Sequence, residues 1–264
     1  MRLTSKVALV SGGGSGIGAA TARRFAAEGA SVVLLGRRAE PLERVAADIG
    51  GIAIAGDATR TDDVRRAVQA AIDRFGGLDV LVANAGGEGT PEITATDDAA
   101  WNASIDSNLT STFVQAREAL PALIERRGSI VVMSSIAGVT APPDDVGYTT
   151  SKHALIGLTR SLARDYGRHG VRVNVICPGW VRTKMVDATM DRLSAQRGIS
   201  HEEAYALVTA DVPLGRPATA DEIASICVFL ASSDSSIMTG AVVMADGGAS
   251  VVDVPTLVFD RGSS

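Results

Sequence analysis

The sequence predicts an α/β fold: a doubly wound parallel sheet of about seven strands with helices on both faces. Short apolar runs alternate with amphipathic stretches along the chain, and strands separated by helices need crossover connections between parallel neighbours. Hydrophobic residues make up 46% of the chain and aromatic residues only 4%. Ala, Val, Leu and Ile therefore build the core, as in a sheet buried on both faces.

Each element carries its own local signal. Apolar runs of four to six residues, typical of buried strands, occupy residues 6–11, 31–36, 52–55, 80–83, 129–134, 171–176 and 241–244. Helical patterns occupy residues 17–28, 41–49, 62–75, 101–126, 148–169 and 221–230. Thr219 followed by Glu222 is a capping-box signature for the last helix. No linker or composition shift divides the chain, so residues 1–264 are predicted to form a single domain.

Two segments depart from this alternation. Residues 183–211 are helix-prone but contain no strand pattern, and an insertion at this place in an α/β enzyme predicts a substrate lid. Residues 251–260 form an apolar tail. Because an exposed apolar tail is unfavourable, we expect it to pack on its own domain or against another subunit.

Charge and composition exclude several classes of partner. The net charge of -5 argues against a nucleic-acid surface, which needs a basic patch. The first apolar run ends at Val10, too short for a membrane span or a signal peptide. Cys177 and Cys227 lie in apolar surroundings, which favours a buried, reduced pair in a cytoplasmic protein.

A glycine-rich turn follows the first strand and opens directly into a helix. Residues 11–18 read Ser-Gly-Gly-Gly-Ser-Gly-Ile-Gly. Glycines let the backbone turn sharply and approach a pyrophosphate, whose charge then meets the N–H groups of the helix start. Strand, turn and helix come in the required order, so the turn predicts phosphate binding in a Rossmann-type domain.

The spacing of Gly12, Gly16 and Gly18 resembles the T-G-x-x-x-G-x-G fingerprint of the short-chain dehydrogenase/reductase family, with Ser11 in place of the leading Thr. The resemblance implies a nicotinamide cofactor held at this turn, with Ser15 and Ile17 taking part in the contact. It also assigns Asp57 to the adenine amino group, and Asn84 and Gly86, in an Asn-Ala-Gly segment, to the side of the cofactor.

The end of the second strand bears on which nicotinamide cofactor is used. NAD-preferring domains place a carboxylate there for the ribose hydroxyls, but this chain reads Gly36-Arg37-Arg38. Arg37 can grip a 2′-phosphate with its planar guanidinium. We therefore expect NADP(H) to be favoured, with NAD(H) possible, although two solvated arginines at a helix entrance would look the same.

Tyr148 and Lys152 are four residues apart in a predicted helix and so share one face. A nearby ammonium lowers the pKa of a phenol and prepares it for proton transfer. In the resembled family this pair is catalytic, and Lys152 also binds the nicotinamide ribose. The family's catalytic serine matches Ser135, although Ser134 is the neighbouring alternative, and its fourth catalytic residue matches Asn108, which would hold a water of a proton relay.

The resemblance continues to the end of the predicted sheet. Pro178-Gly179-Trp180-Val181-Arg182-Thr183 matches a P-G-x-V-x-T segment. The resemblance assigns contact with the cofactor to four of these residues, with the carboxamide held by the last two: Pro178, Gly179, Val181 and Thr183. Trp180 and Met185 either line a substrate pocket or merely pack. The match spans residues 6–248, and family members are commonly homotetramers.

The expected function is that of an NAD(P)-dependent oxidoreductase acting on an alcohol/ketone substrate, with Tyr148 as general acid/base. The alternative within the family is a 3-oxoacyl-[acyl-carrier-protein] reductase, which shares the Pro-Leu-Gly-Arg run at 213–216. Two rivals are another chemistry on this scaffold, such as an epimerase, dehydratase or dehalogenase, and a cofactor sensor without chemistry. No metal site is expected from the scattered histidines. Asp144 and Asp145 are interpreted as a solvated loop, with binding of a polar substrate group as the alternative.

Overall fold

A computed structural model describes residues 1–87 and 89–260. Residue 88 and residues 261–264, which the single-domain prediction includes, lie outside the described residues. The strands are β1 (Val7–Ser11), β2 (Ser31–Gly36), β3 (Ile52–Ala55), β4 (Val80–Ala83), β5 (Ser129–Met133), β6 (Arg172–Pro178), β7 (Val181–Arg182), β8 (Ala218–Thr219) and β9 (Val242–Ala245). The helices are α1 (Gly16–Ala27), α2 (Ala39–Ile49), α3 (Thr61–Phe75), α4 (Asp98–Ile105), α5 (Ser111–Arg126), α6 (Val146–Tyr166), α7 (Lys184–Arg197), α8 (His201–Val208), α9 (Ala220–Ala231) and α10 (Leu257–Asp260).

Over the described residues, seven of these strands form one parallel sheet in the order β3-β2-β1-β4-β5-β6-β9. The order reverses between β1 and β4, and the ends of these two strands define the point where doubly wound sheets bind their ligands. The predicted fold class is confirmed, because each predicted strand is a member of this sheet.

Alternation along the strands divides the core between the two faces. In β1, Leu9 packs with α3, α5 and α6 on one face, whereas Val10 packs with α1, α2 and α9 on the other. Both side chains are completely buried. Successive strand residues point to opposite faces, so a sheet covered on both sides needs the continuous apolar runs seen in the sequence.

The chain departs from the sequence prediction in two places. The helix predicted at 101–126 is divided into α4 and α5 by a π-helical turn, Asp106–Thr110. The pair β7 and β8, joined in register at Val181 and Ala218, was not predicted because two-residue strands carry no periodic signal. The capping box of α9 is confirmed, since Thr219 and Glu222 exchange both hydrogen bonds.

The helix-prone segment at 183–211 contains α7 and α8, which share a small core of their own around Tyr205. The apolar tail, by contrast, is not covered by its own domain: Val251, Val254, Val258 and Phe259 are all exposed. Within the described residues, no helix is both long and apolar enough to cross a membrane.

Candidate active site

The glycine-rich turn is shaped by backbone conformations that only glycine adopts readily. Gly12 and Gly16 have φ angles of 64° and 52°, in the left-handed region that disfavours a side chain. A Cβ on Gly18 would lie 2.3 Å from the Gly12 carbonyl oxygen. The turn is thus a close-walled cradle at the N-terminus of α1, where an anion is favoured.

Ser15 is exposed and precedes α1, but its side chain makes no capping hydrogen bond. Ile17 is half-buried and packs against the α1 side of the core. The first turn of α1, which is described throughout, carries no acidic residue. Its N–H groups are therefore available to a phosphate, and the residues of the turn fit the pyrophosphate that the sequence predicts.

Asn84 ties the turn to the end of β4. Its side-chain amide donates to the Ser11 carbonyl at 2.9 Å, and its backbone N–H donates to Ser11 Oγ at 3.0 Å. The N–H of Ala85 donates to the same hydroxyl at 2.9 Å. This explains why the hydroxyl is kept although Ser replaces Thr at position 11. Asn84 thus fixes the switch point of the sheet.

The two residues predicted at the adenosine end lie on neighbouring strand ends. Arg37 is exposed directly after β2. Asp57 follows β3, and its Oδ1 accepts hydrogen bonds from the N–H and hydroxyl of Thr59 at 2.9 and 2.8 Å. The two loops are joined where Gly56 N–H donates to the Gly36 carbonyl at 2.9 Å. The loop after β2 lies four strand spacings, roughly 19 Å, from the end of β6, and the loop after β3 lies five, roughly 24 Å, so the proposed site is long.

Ser135, Tyr148 and Lys152 come together where β5 ends and α6 begins. The Ser135 hydroxyl lies within interaction range of the Tyr148 hydroxyl. Lys152 Nζ lies 5.2 Å from the centre of the Tyr148 ring and donates to the Met133 carbonyl at 3.1 Å. The ammonium is therefore anchored on β5 and directed at the phenol.

The neighbouring serine has a structural role. Ser134 is buried, and its hydroxyl donates to the Lys152 carbonyl at 2.9 Å. Ser135 instead contacts Tyr148 and accepts from Ala137 N–H at 3.2 Å. The two adjacent serines point to different partners, which favours Ser135 as the one that meets a substrate.

Asn108 is completely buried in the π-helical turn between α4 and α5. Its Oδ1 accepts from Gly87 N–H at 2.8 Å, and its Nδ2 donates to the Ser104 carbonyl at 2.9 Å. A Cβ on Gly86 would lie 2.8 Å from the same Oδ1. Asn108 therefore joins the loop after β4 to the turn that packs against α6, and π-helical turns are frequent at functional sites.

Burial governs the titration of the Tyr148 and Lys152 pair. Burial raises the pKa of Tyr148, the hydrogen bond with Ser135 lowers it, and the Asp145 carboxylate raises it. Burial also lowers the pKa of Lys152 to about 8. This differs from the sequence-based expectation of a lowered Tyr148 pKa. The physical reason is that both charged forms are desolvated here, and desolvation favours the neutral form of each group.

Asp145 was interpreted as part of a solvated loop, and the structure corrects this. Its Oδ1 accepts from Thr90 N–H at 3.0 Å, and its side chain makes no capping hydrogen bond to α6. The Thr90 hydroxyl in turn accepts from Gly147 N–H at 2.8 Å. No signal in the sequence indicates this contact, because Thr90 lies 55 residues before Asp145.

The segment after β6 approaches the glycine-rich turn. A Cβ on Gly16 would lie 3.3 Å from Thr183 Cγ2, so Thr183 faces the turn. Gly179 N–H donates to the Ala245 carbonyl at 3.1 Å, which fixes the segment on β9 just after Pro178, the last residue of β6. Val181 is buried in β7. This segment therefore brings Thr183, from the end of β6, against the cradle that follows β1.

An apolar cavity of about 280 Å³ adjoins this segment. Its lining includes Ile136, directly after Ser135, together with Trp180, Leu214 and Ile223. Met185 instead lies over Gly87, where a Cβ would come within 2.4 Å of its Cε. Of the two residues that the sequence suggests for a substrate pocket, Trp180 and Met185, Trp180 lines this cavity. Among the described residues, no group of His, Cys, Asp and Glu could hold a metal ion.

A glycine-rich cradle and a Ser-Tyr-Lys group share one edge of the sheet, and the comparisons give the class of protein. A family model described as enoyl-(acyl carrier protein) reductase matches residues 12–250. The chain belongs to the short-chain dehydrogenase/reductase family, which uses nicotinamide cofactors. The family resemblance of the sequence is therefore confirmed.

Particular relatives cover nearly the whole chain. Protein MoaE of Klebsiella aerogenes is 45% identical over 97% of this chain and 99% of its own. The 3-oxoacyl-[acyl-carrier-protein] reductase of Thermotoga maritima is 34% identical over 94% and 99%. The crystal structure of levodione reductase superposes with a TM-score of 0.90 at 34% identity, covering 96% of this chain and all of that one.

Proposed function

We propose that this protein is an NADP(H)-preferring oxidoreductase that interconverts an alcohol and a ketone, with Tyr148 as the general acid/base. The observation that carries the proposal is the group of half-buried Ser135 and Tyr148 with buried Lys152, on the same edge of the sheet as the glycine-rich cradle. A sensor of the cofactor would need no such group, and the buried Lys152 would only destabilise it.

The nicotinamide cofactor, when bound, supplies or takes up the hydride. In the reductive direction Tyr148 donates its phenolic proton to the substrate oxygen, which the Ser135 hydroxyl positions by a hydrogen bond. Lys152 stabilises the phenolate that remains. Asn108 holds the backbone beside α6 in place and, in this proposal, a water through which Lys152 returns a proton. Oxidation of the alcohol reverses each step.

Cofactor contact is proposed along the ends of the strands. The adenosine end would lie at Arg37 and Asp57, and the pyrophosphate at the cradle. Asn84 and Gly86 would flank the centre, and the nicotinamide end would meet Tyr148, Lys152 and residues 178–183. The preference for NADP(H) rests on Arg37, since Gly36 leaves room for a 2′-phosphate that a guanidinium can hold.

Titration of the purified protein with NADPH and with NADH tests this proposal. Tighter binding of NADPH is expected, and Arg37→Ala should weaken NADPH binding about 10–100-fold, the range for lost hydrogen bonds to a charged group. The same variant should leave NADH binding unchanged. Arg38→Ala, which removes the neighbouring exposed guanidinium, is the matched control. Tighter binding of NADH, or an equal effect of the two substitutions, would contradict the NADP(H) preference.

The apolar cavity supports a substrate with an apolar part. Helices α7 and α8 support the proposal that residues 183–211 form a lid over it. A 3-oxoacyl-[acyl-carrier-protein] reductase is the second candidate. It is favoured by the relative from Thermotoga maritima and by the apolar lining of the cavity, which suits an acyl chain. The exposed apolar tail supports the proposed homotetramer, and the buried free cysteines support a cytoplasmic location.

A further inference from the structure

Arg182 lies between the two residues proposed to hold the nicotinamide carboxamide, Val181 and Thr183. Its guanidinium forms two parallel hydrogen bonds with the Glu202 carboxylate, at 2.8 and 2.6 Å. Its central carbon lies 4.3 Å from the centre of the Tyr205 ring. One side chain of β7 is therefore held by two side chains of α8.

Tyr205 extends this contact to the other helix of the segment. It is the largest completely buried side chain of the described residues, and its hydroxyl donates to Asp187 Oδ1 at 2.8 Å. Asp187 lies in the first turn of α7. Arg182, Glu202, Tyr205 and Asp187, hereafter the clasp, thus bind both helices to a single residue of β7.

The backbone on either side of Arg182 is held in place. Val181 is buried and in register with Ala218. Thr183 begins α7 as its N-cap residue and faces Gly16 of the cradle. Any rotation of the two helices about the clasp is therefore passed to residues that lie against the proposed cofactor site.

Folding stability alone does not account for the clasp. The side chains of Arg182 and Glu202 are 42% and 70% exposed, and exposed ion pairs contribute little to stability. A bidentate guanidinium–carboxylate pair stacked on a ring instead fixes direction, because both partners are planar. This geometry favours a positioning role over a stabilising one.

We propose that Arg182 is a positioning residue that sets the orientation of α7 and α8 relative to Val181 and Thr183. The proposal rests on the proposed function, since it assumes that these two residues meet the nicotinamide. The clasp would then make binding of the nicotinamide end depend on the docking of the lid. Binding of the adenosine end, at Arg37 and the loop after β3, would not depend on it.

The test compares binding of NADPH with binding of adenosine 2′,5′-bisphosphate, a probe that lacks the nicotinamide. Arg182→Glu should weaken NADPH binding at least 10-fold and change the probe less than 2-fold. The double variant Arg182→Glu/Glu202→Arg, which restores the pair with its charges exchanged, should recover most of the loss. Hydrogen exchange of the backbone amides at 184–208 should be faster in Arg182→Glu than in the unaltered protein. In the double variant it should return to the slower rate.

Arg182→Lys keeps the charge and removes the planar fork, so it covers the case in which charge reversal prevents folding. It should weaken NADPH binding by a smaller factor, again without affecting the probe. Asp48→Asn is the control, because it removes an exposed pair, Arg23–Asp48 at 2.8 Å, that lies between α1 and α2. It should change the affinity for neither NADPH nor the probe.

Three results would overturn the proposal: NADPH binding unaffected by Arg182→Glu and Arg182→Lys, equal losses for NADPH and the probe, or no recovery in the exchanged pair. Failure of the proposed function looks different. In that case the unaltered protein binds neither NADPH nor NADH, and the positioning role falls with it.

Discussion

The glycine-rich cradle and the Ser-Tyr-Lys group lie on the same edge of the sheet but are built in opposite ways. The cradle depends on the absence of side chains, because a Cβ added at Gly18 would clash with the Gly12 carbonyl oxygen. The group around Tyr148 depends on the chemistry of its side chains, namely a buried lysine beside a half-buried phenol. The cradle therefore tolerates no added volume, and the proposed catalytic group tolerates no change of chemistry.

Adding volume to the cradle should have the largest effect. Gly18→Ala forces a Cβ to 2.3 Å from a backbone oxygen, and overpacking of this kind costs ~1–3 kcal/mol of folding free energy. Because the turn must open to relieve the clash, NADPH binding should fall at least about 100-fold, the equivalent of ~2.7 kcal/mol. Equilibrium unfolding and a cofactor titration measure the two effects.

Gly157→Ala is the control for that substitution. Gly157 is an exposed residue of α6 with open space where its Cβ would lie, so alanine should stabilise the protein by ~0.5–1 kcal/mol and leave the cofactor affinity unchanged. An unaltered affinity in Gly18→Ala would show that the tightness of the turn does not matter.

Removing the buried charge should have the opposite effect on stability. The pKa of Lys152 falls from 10.5 to about 8, a difference of roughly 3 kcal/mol. The folded state has the lower pKa, so the destabilisation is complete below pH 8 and fades as pH rises from 8 to 10.5. Lys152→Met should therefore stabilise the protein without added cofactor by up to ~3 kcal/mol at pH 7, and should abolish turnover.

Urea unfolding at several pH values tests this. The gain should shrink between pH 8 and 10.5, whereas Lys184→Met, at an exposed lysine, should show no such trend. Loss of the hydrogen bond to the Met133 carbonyl reduces the gain but does not reverse it. A Lys152→Met protein that is less stable at every pH would contradict the account of burial.

A smaller effect is expected at Asp145, whose carboxylate raises the pKa of Tyr148. Asp145→Asn keeps an oxygen for Thr90 N–H and removes the charge, so the pKa of Tyr148 should fall. Alcohol oxidation needs the phenolate, and its rate should therefore rise at a lower pH than in the unaltered protein. Asp144→Asn, at an exposed neighbour, should leave the pH–rate profile in place; an unmoved profile in Asp145→Asn would remove Asp145 from the account.

The sequence predicts the scaffold well because its signals are local and repeated. Each strand is an apolar run such as that of β1, and each helix has its own amphipathic pattern. The Tyr148 and Lys152 pair could likewise be placed on one face from its four-residue spacing. The position of the reversal in strand order, between β1 and β4, is by contrast given only by the structure.

Contacts between distant segments could not be predicted. Asp145 and Thr90 are 55 residues apart, and nothing in either segment indicates that they meet. The π-helical turn at Asn108 interrupts a continuous helical pattern, so its helix was predicted without a break. The pKa of Tyr148 was expected to fall because spacing shows the neighbouring lysine but not the burial that desolvates both groups.

The central claim, that Tyr148 transfers the proton, is tested most directly by Tyr148→Phe. The substitution removes one hydroxyl from a half-buried ring, and we expect the variant to fold and still to bind NADPH. Consumption of NADPH with a ketone substrate should fall about 10²–10⁴-fold, the usual contribution of a general acid. Turnover near that of the unaltered protein, with a ketone that the unaltered protein reduces, would contradict the assignment.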